Sequence, residues 1–392
     1  MFNFVADRLI KDKAYPALSS WTALPYTQDW QKFVGAWPYT IPCELHEHCA
    51  EFGVPFKLWT IDENYPKNSY YTIGLGFFDF TIDYFGLMSD QVHNAIKNQR
   101  LQVLFYYHEG DNPYHIKNRL DSLCSMYGLS IDCYRFISGN TAADTIPGFV
   151  YFPDHELLYW RRNRIPPIPV HVRPRERDFT ALSRTHKWWR ATVMADLHRN
   201  NLLANSYWSY NTLVSIDDRL NDNPIEIDTL AIQEYLTEFL TGGPYCADIL
   251  NDNQHNDHSI VETTHFTNSY CNIVLETHFD ADQSSGAFLT EKTFKAIKHG
   301  QPFIIVGPAG SLATLRHLGY CTFDHAIDNS YDLETNNTQR WIKIIDAIKK
   351  IKQQNMHEWF KQCLNDVTHN QQLFVRTKTN RLNNLLTKLQ TL

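Results

Sequence analysis

The chain has 392 residues, 43% hydrophobic, 14% aromatic and 20% charged; it is too apolar for a disordered polymer and too long for one ordinary core, so two folded domains of roughly 150 to 200 residues each are expected. Its 36 Lys and Arg against 43 Asp and Glu leave a formal charge of -7, which excludes general coating of nucleic acid and confines any polyanion to a local groove. Cysteines scattered at 43, 49, 124, 133, 246, 271, 321 and 363 form no CxxC pair, the opening stretch 1–18 holds no signal-peptide run, and no run of about eighteen apolar residues occurs, which together predict a reduced, soluble, cytoplasmic chain with no membrane span.

Residues 1–90 match no motif, and their role stays open. Within them His46, His48 and Cys49 gather two imidazoles and a thiol, but no second ligand pair stands at metal spacing, so the segment reads as a solvated amphipathic stretch in preference to a zinc site. From Leu101, LQVLFYYHEG is apolar and aromatic and predicts a buried strand that stops at Gly110, Asn112 and Pro113. Ile116, Leu120, Leu123 and Met126 then recur at three- and four-residue spacing, predicting a helix over His115 to Tyr127 that Gly128 ends. With CYRFISGN as the next strand, this is a strand–helix–strand unit, whose right-handed crossover implies a parallel sheet covered by helices.

The stretch Arg161 to Arg177 holds four prolines and six arginines and is incompatible with regular helix. It places a linker at 166–178 between α/β domains at 1–165 and 179–370, with a helical tail at 371–392. After it, FTALSR predicts a strand ending at Ser183 and TVMADLHRNNLL the helix behind it. Further helices are expected near Thr229 to Leu240 and Arg340 to Ile351, strands at CNIVLETHF and PFIIVG, and a mobile loop in the polar run 251–259.

The segment Asn272 to Gly307 carries the most chemistry. A strand leads through a small-residue loop into a helix whose start holds Thr290, Glu291 and Lys292, with Phe294 and Ile297 turned inward and Gly300 as the stop. Unpaired N–H groups and partial positive charge at such a start suit a diphosphate, Lys292 adds a full charge, and Glu291 can accept from ribose hydroxyls. The same tripeptide also reads as a cap, a dipole-complementing acid and a solvated lysine. Asp280-Ala281-Asp282 is a DxD pattern of the kind that holds a metal and a nucleotide diphosphate, with a solvated turn as the simpler reading.

This segment resembles the α-1,3-fucosyltransferase family of GT-B glycosyltransferases, whose donor site pairs a strand ending in Glu-Asn with an aromatic-x-Thr-Glu-Lys helix start. Here these are Leu275-Glu276-Thr277 and Phe288-Leu289-Thr290-Glu291-Lys292. A second block agrees: the family has a strand ending in Ser-Asn and, seven residues after the Ser, an Arg opening a helix, here Ser183 and Arg190. The third block, Phe-Tyr-x-x-Glu-x-x-x-Pro, carries the family's general base and matches Phe105 to Pro113, with Glu109 as the base and Asp111 in reserve. Thr277 and Arg184 stand where the family has Asn.

The resemblance implies an α/β, GT-B-like fold of two Rossmann-like domains facing each other across a crevice, the first on the acceptor side and the second binding the nucleotide sugar. It implies an inverting, metal-independent transfer of a sugar, fucose in the family, from a nucleoside-diphosphate sugar, a GDP-sugar being favoured, to an acceptor hydroxyl on a glycan. No cofactor is implied. Arg190 and Lys292 would hold the diphosphate, Glu291 the ribose, and Ser183, Glu276, Phe288 and Thr290 would shape the donor pocket. Two alternatives stay open: a base in DNA as acceptor, with the arginines at 161–177 tracking phosphates, and a nucleotide-sugar binder without turnover.

Overall fold

The computed structural model describes residues 1–6, 44–76, 78–183, 186–210, 223–228, 231–245, 262–280 and 286–392. Arg184, Asp282 and the run 251–259 lie outside the described residues, as does part of the segment expected as helix from Thr229. The chain forms two compact units, Met1–Leu157 with Thr377–Leu392, and Leu158–Arg376. Each is an α/β assembly on a parallel sheet. No described helix is long and apolar enough to cross a membrane.

The first unit contains β1 (Phe2–Ala6), α1 (Glu44–Glu51), β2 (Phe56–Thr60), β3 (Ser69–Leu75), α2 (Asp90–Lys97), β4 (Leu101–Tyr107), α3 (Pro113–Met126), β5 (Tyr134–Ser138) and β6 (Phe149–Tyr151), and the start of α4 (Asp154–Arg162). The sheet order is β2-β1-β3-β4-β5-β6, with Thr72 opposite Leu104 and Leu104 opposite Arg135. Apart from Gln102, β4 is apolar or aromatic because both its faces are covered. Val103, Phe105 and Tyr107 pack with Ile116, Leu120 and Phe136, whereas Leu104 and Tyr106 pack on the other side with Leu385 and Leu389.

Asn112 caps α3 by accepting from Tyr114 N, and Gly128 ends it at φ +60°, where an L side chain would be strained. Cys124 completes the buried stripe with Ile116, Leu120 and Leu123, and the expected fourth member, Met126, is exposed instead.

The C-terminal segment is two helices. One, Met356–Arg376, closes the second unit, and the last, Lys378–Thr391, belongs to the first. Leu382, Leu385, Leu386 and Leu389 bury beside Phe2 and Phe4, each leucine contributing on the order of 1.5 to 3 kcal/mol. Glu156, fully buried, accepts from Arg381 Nε at 2.6 Å and Thr377 Oγ1 at 2.8 Å. Tyr70 and Arg135 bond the carbonyls of Leu389 and Leu392 at 2.8 and 2.9 Å.

The second unit holds β7 (Arg177–Ser183), α5 (Trp188–Arg199), β8 (Ser206–Tyr210), α6 (Gln233–Gly242), α7 (Thr263–Thr267), β9 (Ser269–Leu275), α8 (Glu291–Lys298), β10 (Phe303–Val306), α9 (Ser311–His317), α10 (Asn337–Lys352) and α11 (Met356–Arg376). Its sheet runs β10-β9-β7-β8, with Val306 beside Leu275 and Ser183 beside Tyr210, so the strands present one carboxyl edge. Gly300 follows α8 at φ +67°; a Cβ there would come within 2.4 Å of Val170. Residues 163–176 form no helix or strand, consistent with their prolines.

Candidate functional site

At the carboxyl edge of the second unit's sheet, β9 and α8 meet through one carboxylate. Glu276, fully buried, accepts from Thr290 Oγ1 at 2.5 Å, Thr293 Oγ1 at 2.6 Å, Thr290 N at 3.2 Å and Thr277 N at 3.3 Å. The strand end is thereby tied to the helix start, a cap built from the strand side. Thr290 is the N-cap of α8, its hydroxyl accepting from Lys292 N at 3.4 Å. Lys292 keeps 29% of its side-chain exposure, with Nζ on Glu291 Oε1 at 2.9 Å, Thr290 Oγ1 at 3.1 Å and Thr277 Oγ1 at 3.3 Å. Phe288 is buried, its ring 5.7 Å from that of His278.

Arg190, in the first turn of α5, reaches the same strand end. It is buried, with Nη2 donating to the carbonyls of Glu276 at 2.5 Å and Leu275 at 3.4 Å, and its guanidinium lies 5.2 Å from the Trp189 ring. Burial lowers its pKa to about 10 against the pull of Glu276, Glu291 and Tyr210, so it stays charged at neutral pH. Ser183 ends β7 with Oγ buried and without a hydrogen-bond partner among the described residues. The structure thus brings Ser183, Arg190, Glu276, Thr290, Glu291 and Lys292 to one strand–helix edge, but engages Arg190 and Glu276 internally. Asp280 acts on Arg340, a buried arginine whose Nε donates to Gly307 O at 3.1 Å.

Two further residues at this edge carried no sequence expectation. Thr293, one turn into α8, shares the Glu276 carboxylate; Lys187, just before α5, donates to Thr277 O at 2.7 Å. A threonine at the helix start with another three residues on is the pattern that exposes the first. Three arginines of the proline-rich stretch bond groups of their own unit. Arg173 bonds Asn268 Oδ1 at 2.7 Å, Arg177 bonds Asn205 Oδ1 at 3.0 Å, and Arg175 bonds Ser269 O at 2.6 Å and lies 4.0 Å from the Phe360 ring.

In the first unit, Glu109 and Asp111 lie in the loop between β4 and α3, beyond the carboxyl end of the sheet. The loop is anchored by Gly139 N on Glu109 O at 3.2 Å and Asn140 Nδ2 on Gly110 O at 2.9 Å. Glu109 keeps 38% of its side-chain exposure and faces His108 Nε2 at 3.4 Å. Asp111 accepts from Tyr107 hydroxyl at 2.5 Å. The helix cap falls to Asn112, which leaves both carboxylates outside that role.

His108 also faces Glu44, Nδ1 to Oε2 at 3.0 Å. Burial opposes its charged form, but Glu44 and Glu109 outweigh burial and hold the pKa well above the usual 6.5. His46, His48 and Cys49 are buried, which corrects the solvated reading of that stretch. They do not converge on one point: His46 bonds Thr72 Oγ1 at 3.1 Å, whereas His48 Nε2 meets Asp154 Oδ1 at 2.7 Å. A cavity of about 990 Å³, lined in part by Met1, Asn68, Gln102 and Asp132, opens at the amino ends of the first unit's strands, the opposite edge from Glu109.

No family model and no curated protein matches the chain. Among solved structures it is similar to a T4 phage BGT point mutant in complex with UDP-glucose, at 12% identity and a TM-score of 0.38, over 90% of this chain and 94% of that one. So distant a likeness carries no residue role from one chain to the other.

Proposed function

We propose that the chain is an inverting glycosyltransferase of GT-B type that moves a sugar from a nucleoside-diphosphate sugar to an acceptor hydroxyl, with no metal on the diphosphate. The observation that carries this reading is the strand–helix edge at Glu276, Thr290 and Lys292. A lysine held on two hydroxyls beside a helix start, at the carboxyl edge of a parallel sheet, is placed to receive a phosphate. Negative charge builds on the diphosphate as the glycosidic bond breaks, and Lys292 with the helix start stabilises it more as the bond lengthens.

Arg190 would act through the Glu276 backbone it holds or, on rearranging, on phosphate itself. Glu291 would accept from the ribose, with Ser183 and Phe288 in the pocket wall. Glu109 would take the acceptor's proton, with Asp111 in reserve. A GDP-sugar is the favoured donor, fucose the favoured sugar and a glycan the favoured acceptor, all three on the motif resemblance. The DNA-acceptor reading has less to draw on, because Arg173, Arg175 and Arg177 bond groups of their own unit.

Calorimetric titration with GDP, UDP and CDP tests the reading. A charge-assisted phosphate contact is worth about 1.5 to 3 kcal/mol, so Lys292→Ala should weaken binding of the accepted nucleotide by about ten- to a hundredfold. Lys361→Ala, an exposed lysine paired with Glu358, is the control and should bind as the parent does. Equal affinity in parent and both variants overturns the donor site.

A further inference from the structure

Three side chains of ligand type meet inside the first unit: Glu44 from α1, His108 from the loop after β4 and Asp154 from the start of α4, each offering an atom within 4.8 Å of the others. Exposed acids gather often without a ligand, but this group is enclosed, with side-chain exposures of 21%, 10% and 1% for Glu44, His108 and Asp154. The two oxygens of Asp154 are treated unequally. Oδ1 accepts from His48 and from the Tyr106 hydroxyl, whereas Oδ2 is buried with no hydrogen-bond partner among the described residues. A buried carboxylate oxygen without a donor is costly, and a cation beside it removes the cost.

His108 has the orientation a metal-bound imidazole takes. Its Nε2 faces the Glu109 carboxylate, so a cation that displaces the Nδ1 proton to solvent leaves the Nε2–H on its acceptor and finds the Nδ1 lone pair directed to where Glu44 Oε2 stands. His48 and Tyr106 hold Asp154 in the same manner. We propose that the first unit binds a divalent cation through Glu44, His108 Nδ1 and Asp154 Oδ2, with Glu109, His48 and Tyr106 fixing those ligands. One imidazole nitrogen and two carboxylates suit zinc or manganese better than magnesium, which keeps its waters. His155, its ring 5.8 Å from that of His108, is a neighbour able to supply a fourth ligand. The cation would fix the loop that carries Glu109; the proposal stands on the first unit alone and does not depend on the transferase reading.

The test uses the full chain, stripped with chelator, dialysed, and titrated separately with zinc, manganese and magnesium salts. Metal content and unfolding temperature are read, with cobalt as a spectroscopic probe of nitrogen and oxygen ligation. The expected result is one equivalent of zinc or manganese and a raised unfolding temperature. Asp154→Asn and Glu44→Gln should lose uptake; Glu109→Gln, which faces His108 Nε2, should weaken it by about ten- to a hundredfold. Glu44 is the most exposed of the three, so its variant keeps the test open if Asp154→Asn does not fold. Wild-type protein that takes up no stoichiometric cation, or a Glu44→Gln variant that binds as the parent does, overturns the proposal; the first result would mean that a shared proton holds the cluster together.

Discussion

Glu276→Gln is the perturbation that most directly tests how the proposed donor edge is held. The carboxylate serves Thr290 Oγ1 at 2.5 Å, Thr293 Oγ1 at 2.6 Å and Thr290 N at 3.2 Å from a fully buried position. Glutamine keeps the size and one acceptor oxygen, but turns the other contact into a donor. A threonine hydroxyl can rotate to accept from it; Thr290 N–H cannot, so the amide must place its oxygen there. Each remaining bond falls from a charge-assisted strength to a neutral one, a loss of about 1 kcal/mol apiece, or roughly 2 to 4 kcal/mol for the set. In a unit of this size that corresponds to a fall of roughly 5 to 15 °C in its calorimetric transition. Thr293→Val removes one of the same bonds, so the double variant should lose less than the sum of the singles. Nucleotide affinity should fall too, because the start of α8 is no longer fixed to β9. A Glu276→Gln protein within about 0.5 kcal/mol of the parent would refute the reasoning, since that is the range of an ordinary surface change.

Glu109→Gln should lower turnover by about two to four orders of magnitude while nucleotide binding stays at the parent value, and near-normal turnover would move the base role to Asp111. If Lys292 and the helix start take the place of a cation, nucleotide affinity measured in EDTA and in manganese should agree; a strong manganese dependence would return attention to Asp280 and Asp282. His299 is held neutral by burial, with Lys298 and Lys295 adding to the effect, and its pKa falls to about 3. The unfolded chain therefore binds a proton that the folded one refuses between about pH 6.5 and 3, so stability is full above that window and falls within it by up to about 1.4 kcal/mol per pH unit. Denaturation of His299→Gln across pH 7 to 4 should show a flatter slope, and an unchanged slope would show that His299 does not carry the effect.

Elements bounded by strong punctuation were legible from sequence: β4, α3 and β5 between Gly110, Pro113 and Gly128, and β9, α8 and β10 around Gly300. The first three strands were not. Asn3, Lys57 and Thr72 interrupt their apolar pattern, and their pairing partners lie far along the chain, Phe2 with Phe56 and Phe4 with Tyr70. The same separation hid the buried polar residues. His48 meets Asp154 across 106 residues and Glu156 meets Arg381 across 225, distances over which no local spacing rule operates. His46 and His48 therefore read as solvated, although partners from distant segments enclose them. At the edge of β9 and α8 the sequence grouped residues that the structure brings together, but not the bonds they make: Glu276 clamps the strand to the helix through Thr290 and Thr293.

The charged groups at the edge of β9 and α8 are matched largely by one another. Glu276 and Glu291 oppose Arg190 and Lys292, and Lys187 with the helix start leaves the edge positive. A diphosphate entering that balance must be met by redirected groups. Arg190 is the least able to turn, being buried and bonded to two backbone carbonyls, and freeing it would leave those carbonyls without their donor. Lys292 is the most able, since it is part-exposed and its bonds are to hydroxyls and to a neighbouring carboxylate that can itself turn to ribose hydroxyls. In this reading the exchange is local: Lys292 passes from Glu291 to phosphate, Glu291 passes from Lys292 to the nucleoside, and Glu276 with Arg190 keeps the joint in place while they do so.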